Sequence, residues 1–139
     1  MFTTSAEINN PITISSNLTS NDDTMETFEV EVSPSATVTK TINISSGTVS
    51  NVNYSVWYIN DISNIDIGVS STSYTTAGTI SNANTTVTTK ISIRNNSSTT
   101  KTVTLGVALS KNSIVLASNM SLVPQKTLSN PCLLYTSPS

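Results

Sequence analysis

The sequence predicts an all-β fold: an antiparallel β-sandwich of the immunoglobulin-like kind, with about seven to nine strands. Three observations predict it. Val, Ile and Leu recur at every second position in one segment after another, the period of a half-buried strand. Turn residues interrupt these segments every ~8–12 positions, the spacing of a sandwich or barrel. No stretch keeps the 3.6-residue period of an amphipathic helix for a useful length. Composition agrees, because only 10% of the residues are charged and the polar surface is carried by Ser, Thr and Asn. Thr is β-branched and fits a pleated surface.

The elements follow in order along the chain. Residues 12–15 read as a short strand and residues 17–27 as a loop. Residues 26–32 alternate, with Phe28, Val30 and Val32 on one face and Glu29 and Glu31 on the other. Ser33, Pro34 and Ser35 break that strand. The strand at residues 36–45 groups Val38, Lys40, Ile42 and Ile44 against Thr37, Thr39, Thr41 and Asn43. A turn at Gly47 leads to residues 52–58, which set Val52, Tyr54, Val56 and Tyr58 opposite Asn53, Ser55 and Trp57. Ile65, Ile67 and Val69 alternate next. Residues 78–80 and 85–94 follow, the latter carrying Val87, Ile91 and Ile93. Val103, Leu105, Val107 and Leu109 form the clearest alternation. Residues 114–116 and 121–123 close the series as two short strands.

An internal echo runs through this pattern. Residues 36–58 and 85–107 share Thr-Val-Thr, a spacer, Ile-x-Ile, a polar turn and an alternating strand. Val38, Ile42 and Ile44 match Val87, Ile91 and Ile93 at one shift, 87 − 38 = 49. The second strands of the two copies differ by two residues in turn length. Two copies are too few for a solenoid. They fit two equivalent strand pairs within one sandwich.

The segment Ala36-Thr37-Val38-Thr39-Lys40-Thr41-Ile42-Asn43-Ile44-Ser45-Ser46-Gly47-Thr48, followed by residues 52–58, resembles bacterial cell-surface immunoglobulin-like modules, including the CARDB-like type. The resemblance extends over residues 26–123. It implies an extracellular sandwich serving as spacer, stalk or adhesive module in a longer protein. One departure stands out. Antibody-type domains pack a strand Trp against a disulfide, whereas Trp57 faces away from Val52 and Val56 and no pair of cysteines exists.

The 139 residues suit one domain. We expect residues 1–25 to form an N-terminal strand and loop at the sandwich edge, residues 26–125 the sandwich, and residues 126–139 an irregular tail. Residues 132–139, which hold the single Cys132, resemble translated sequencing-adapter sequence and are set aside, as is any role for that cysteine. The start of the chain lacks the charged head and apolar stretch of a signal peptide. Both ends read as edges of a fragment, so the extracellular or cell-surface expectation rests on style alone. No run of apolar residues is long enough to insert in a membrane. The net charge is −2, and Lys40, Lys90, Arg94, Lys101, Lys111 and Lys126 are scattered. Nucleic-acid binding needs clustered cations, so no nucleic-acid partner is expected.

Chemistry is scarce. There is no His, and Cys132 lies in the tail, so hydrolase triads, thiol catalysis and the usual zinc sites are missing. The chain is expected to be no enzyme and to use neither cofactor nor metal. Glu29 and Glu31 share a face as a glycosidase pair would, but read as a solvated strand face. Asn21, Asp22, Asp23 and Glu26, or Asp61, Asn64 and Asp66, could supply oxygen ligands to calcium, yet neither has EF-hand spacing, and such residues favour turns anyway. Lys40 on an apolar face invites comparison with isopeptide-forming adhesins, but Glu29 and Glu31 both point the wrong way. Glycosylation sequons such as Asn43-Ile44-Ser45 and Asn84-Thr85-Thr86 are the chance product of a chain rich in Asn, Ser and Thr.

One binding candidate remains. Trp57, flanked by Asn53 and Ser55 on the polar face of its strand, could stack on a sugar or a surface protein if exposed. Three functions follow. The first is a non-catalytic structural or spacer module of a bacterial surface or secreted protein, partnered by neighbouring domains. The second is a carbohydrate- or protein-binding adhesin module centred on Trp57. The third is a phage appendage or extracellular filament subunit, marked by an open sheet edge or a strand donated from residues 1–20.

Overall fold

The computed structural model describes residues 5–7, 12–15 and 23–128. Ten strands are present among them: β1 (Ser5–Glu7), β2 (Ile12–Ser15), β3 (Thr24–Val32), β4 (Thr37–Ser45), β5 (Val52–Ile59), β6 (Ile65–Val69), β7 (Ala77–Ile80), β8 (Thr86–Asn95), β9 (Lys101–Ser110) and β10 (Met120–Leu122). They form two sheets packed as a sandwich, and the all-β class is as the alternation requires. The first sheet runs β4-β8-β6, with β1 and β2 both on the free side of β4. The second runs β3-β9-β5, with β7 and β10 both on the free side of β5.

The core is the set of alternate residues that point inward from both sheets. Val38, Ile42 and Ile44 of β4 meet Ile91 and Ile93 of β8; Val52, Tyr54 and Val56 of β5 meet Val103, Leu105, Val107 and Leu109 of β9. All are buried. Each branched side chain of this kind contributes ~1.5–3 kcal/mol when removed from water. Inward alternation fixes the register, since a one-residue slip would turn the whole apolar set to solvent.

The internal echo becomes a symmetry of pairing. A shift of 49 maps Thr41 onto Lys90, and these two are direct cross-strand partners in the β4–β8 ladder. In β5 and β9 the extra turn residues make the shift 51 (107 − 56), which maps Val56 onto Val107, and these are also direct partners. Each central ladder is therefore centred on equivalent residues of the two copies. The polar exceptions on the inward face obey the same relation. Lys40 and Thr89 are equivalents; Lys40 opposes Ile91 and Thr89 opposes Ile42. Lys40 is half-buried, so its stem lies along the sheet while its amine stays near water. Thr89 is fully inside, and its hydroxyl has no hydrogen-bond partner.

Two departures from expectation concern the edges. The sandwich is antiparallel except where β1 and β2 pair parallel with β4. β1 is too short to show a period, so alternation could not reveal it. Its register with β4 differs from that of β2 by two positions. The expected loop at residues 17–27 gives way at Thr24, where β3 begins, because β9 is long enough to continue the ladder to Leu109. Residues 114–116, expected as a strand, are irregular. The adapter-like tail, residues 132–139, lies outside the described residues.

Buried side chains lock both ends of the sandwich. Asn95 is fully buried at the end of β8. Its Nδ2 donates to the carbonyls of Val32 (3.0 Å) and Thr99 (2.8 Å), and its Oδ1 accepts from the Ser97 amide and hydroxyl. One amide thus ties the β3–β4 and β8–β9 connections together. At the opposite end Ser46, also fully buried, donates to the Asn82 carbonyl at 2.8 Å and accepts from the Thr85 amide at 3.1 Å. Between the two strands that share the β5 edge, Thr76 donates from its hydroxyl to the Val123 carbonyl at 2.8 Å. The Val56 amide donates to Thr76 and the Val56 carbonyl accepts from Val123, so the edge passes from β7 to β10 without an unpaired group at Val56. Asn51, Asn64 and Asn84 hold positive φ in turns, a conformation Asn tolerates better than most residues.

Two substitutions separate satisfied from unsatisfied polar groups. Asn95→Ala removes four hydrogen bonds, two donated to the Val32 and Thr99 carbonyls and two accepted from Ser97, and is expected to lower stability by about 2–4 kcal/mol in urea denaturation. Thr89→Val keeps the shape and removes an unpaired buried hydroxyl, so it is expected to raise stability by about 1 kcal/mol.

Candidate functional site

Trp57 stands on the outer face of the second sheet, away from Val52 and Val56, as its place in the strand requires. It is nevertheless buried, at 2% exposure. Its cross-strand neighbours are Gly106 in β9 and Leu122 in β10. Gly106 makes the packing possible. The Trp57 ring occupies the space where a Cβ at position 106 would stand, at Cζ2, Cε2 and Cη2. The indole Nε1 has no hydrogen-bond partner. The ring is therefore held by packing alone.

Residues 111–119, the connection from β9 to β10, are tied to β5 near both of its ends. β9 ends at Ser110, opposite Asn53, and β10 begins at Met120, opposite Ile59. The intervening chain must run back along the whole length of β5, and it does so across the outer face. Ser113, Ile114 and Val115 line a shallow hollow together with Met25 and Ala108 of the adjacent strands. Ala108 is buried although it points outward. Both ends of this strap are tied down. At one end the Asn53 Nδ2 donates to the Asn112 carbonyl at 2.8 Å, and the Ser110 hydroxyl accepts from the Asn112 amide at 2.9 Å. Ser110 in turn donates to Asp23 Oδ1 at 2.5 Å. At the other end the Asn60 amide donates to the Asn119 carbonyl at 3.0 Å, and its Nδ2 reaches Ser121 Oγ at 2.8 Å.

The three candidate residues thus have distinct placements. Trp57 presents no open ring face. Asn53 is half-exposed, but its amide is used at both ends, since its Oδ1 also accepts from the Thr79 hydroxyl at 2.7 Å. Ser55 lies between them on the same face and is half-exposed. A stacking role for Trp57 was conditional on exposure, and the ring is buried. Alternation says which face a residue takes, but not what else of the chain lies on that face. Tyr54 is a core residue whose hydroxyl bonds to Thr75 at 2.8 Å, and Tyr58 and Tyr74 pack partly buried against the core.

The acidic candidates do not gather. Glu26, Glu29 and Glu31 are exposed along β3. Lys40 lies in the facing sheet, and Glu29 and Glu31 point away from it into solvent. Asp66 pairs with Lys126 at 2.8 Å on an exposed surface, a contact of small energetic weight. Among the described residues no group of three or more His, Cys, Asp or Glu side chains is placed to hold a metal. Asn21 and Asp22 of the first calcium candidate lie outside the described residues.

One concavity was not anticipated. Ile59, Asp61, Ile62, Ser63, Lys101, Thr102 and Thr104 line an open crevice of about 340 Å³. It joins the end of β5, the loop after it and the start of β9. These segments are far apart in sequence and meet only through strand pairing, so no local pattern could signal it.

Comparison with known proteins adds little to this geometry. No protein-family model matches the chain, and no curated protein does. A solved structure to which it is similar is PliG of Aeromonas hydrophila, a periplasmic lysozyme inhibitor of g-type lysozyme, at 10% identity. The match covers 76% of this chain and 98% of that one, with a TM-score of 0.35. No helix among the described residues is long and apolar enough to cross a membrane.

The chain has a single Trp, so its fluorescence reports on this site alone. We expect blue-shifted emission that acrylamide quenches weakly in the folded protein and strongly in urea. Gly106→Ala must push the indole out of its place and is expected to cost about 1–3 kcal/mol, with a red shift of the emission.

Proposed function

We propose that the chain is a non-catalytic structural or spacer module of a bacterial surface or secreted protein. The observation that carries this reading is the use of Trp57 and Asn53. The side chains best suited to recognise a ligand are spent on holding the strap to the sheet. Composition supports the same reading. A surface of Ser, Thr and Asn with few charges suits an extracellular sandwich, and the immunoglobulin-like resemblance of residues 26–123 points the same way. Its partners are then the neighbouring domains of a longer chain. An adhesin centred on Trp57 loses its main support, because a stacking face would require the strap to leave.

The reading as a filament or appendage subunit keeps one specific observation in its favour. β3 ends its sheet, and no strand pairs with its outer side among the described residues.

A structural module of this kind should unfold in one cooperative transition, with Tm unmoved by ligands. Differential scanning fluorimetry of the whole chain against a panel of mono- and oligosaccharides and millimolar Ca²⁺ tests it. Unchanged Tm throughout is the expected result. A rise of several degrees with any one of them contradicts the proposal, since a ligand that binds only the folded state stabilises it by mass action.

A further inference from the structure

We propose that the outer edge of β3 is a strand-addition site, and that its occupant is an extended segment with alternating cationic and apolar residues, supplied by a different chain. The sandwich treats its other edges differently. The free side of β4 is covered by β1 and β2, and the free side of β5 by β7 and β10. The short β6 is bridged at Val69 to Thr127, with the Val69 amide donating to the Lys126 carbonyl at 3.1 Å. β3 is paired over all nine of its residues with β9 on one side. On its other side, among the described residues, only the Val32 carbonyl is engaged, by Asn95. A strand edge of this length presents a row of backbone donors and acceptors to solvent, and an added strand satisfies them.

The side chains along the edge select what can pair there. Phe28 points inward but is only partly buried, so an apolar residue on the inner face of an added strand would complete its cover. Glu29 and Glu31 point outward and are exposed, as is Met25. Cationic residues on the outer face of the added strand would lie beside those carboxylates, the favourable cross-strand pairing. Glu26 is exposed on the inner-facing side, near the start of the strand. The same glutamates disfavour self-association. A parallel, in-register pairing of two β3 edges would set Glu29 and Glu31 against their own copies, and like charges across a ladder are destabilising. A fully overlapping antiparallel pairing offers each of these glutamates only Thr27 or Met25, with no cation to meet it. The six Lys and Arg of this chain do not alternate in any one segment, so the fitting strand comes from elsewhere. A membrane or a polyanion is excluded as occupant by the same charges.

The test uses the whole chain and a soluble nonapeptide of alternating Lys and Val, labelled at its N-terminus. Fluorescence anisotropy measures binding, and hydrogen exchange locates it. The expected result is saturable binding with new protection confined to the amides of β3. A peptide of alternating Glu and Val should not bind. Affinity should fall at least about tenfold in Glu29→Lys/Glu31→Lys and less in Glu29→Gln/Glu31→Gln; both pairs are exposed, so the fold is expected to survive. Absence of Lys-Val binding, equal affinity in the reversed variant, or protection outside β3 overturns the proposal.

Discussion

The structure depends on two antiparallel ladders, β4–β8 and β5–β9, packed face to face. Every other element is placed by them. Their inward residues are almost all Val, Ile and Leu, and most of these are fully buried. Branched side chains of this kind pack against a pleated neighbour and restrict each other's rotamers. Of the chain's crossings between the sheets, two, from β4 to β5 and from β8 to β9, join strands of the two central ladders directly. Because each crossing joins one ladder to the other, neither sheet can form its central pairing without bringing its partner into place. The echo between residues 36–58 and 85–107 is the sequence trace of this arrangement. Equivalent residues of the two copies sit at the centre of each ladder, Thr41 with Lys90 and Val56 with Val107.

How the surface is stabilised follows from the scarcity of charge. With one ion pair among the described residues, the loops rely on neutral hydroxyls and amides. Asn95, Ser46 and Thr76 are buried side chains that each satisfy backbone groups from separate connections. Hydrogen bonds of this sort are insensitive to salt, and a buried amide with all its partners is worth more than an exposed ion pair. Asn53 and Asn60 do the same on the outer face, where they fasten the strap over Trp57.

Much of the fold was legible because strands with one wet face announce themselves by alternation. β4, β5, β6, β8 and β9 lie where the period of two placed them. Elements of three or four residues were harder. β1 has no pattern to read, and residues 114–116 carry three apolar residues in a row without forming a strand. Ile114 is half-buried while Val115 is left at the surface, and neither joins a ladder. The site was legible only in part. The strand period put Trp57 on the outer face correctly, and Gly106 is the residue that betrays its burial. A glycine in the middle of a strand rich in Val, Thr and Leu is a sign of close approach, but its partner across the sheet is set by register, which no local pattern reveals. The crevice between β5 and β9 escaped for the same reason.

The central claim is that the two interlocked ladders are the stable unit and that the flanking strands are added to it. Native-state hydrogen exchange on the whole chain tests this most directly, because it resolves the opening free energy of each element. The account predicts the slowest exchange at paired amides of β4, β5, β8 and β9, near the global stability. It predicts faster, separate opening for β1, β2, β7 and β10. Equal protection across all ten strands, or slowest exchange in the flanking ones, would contradict it.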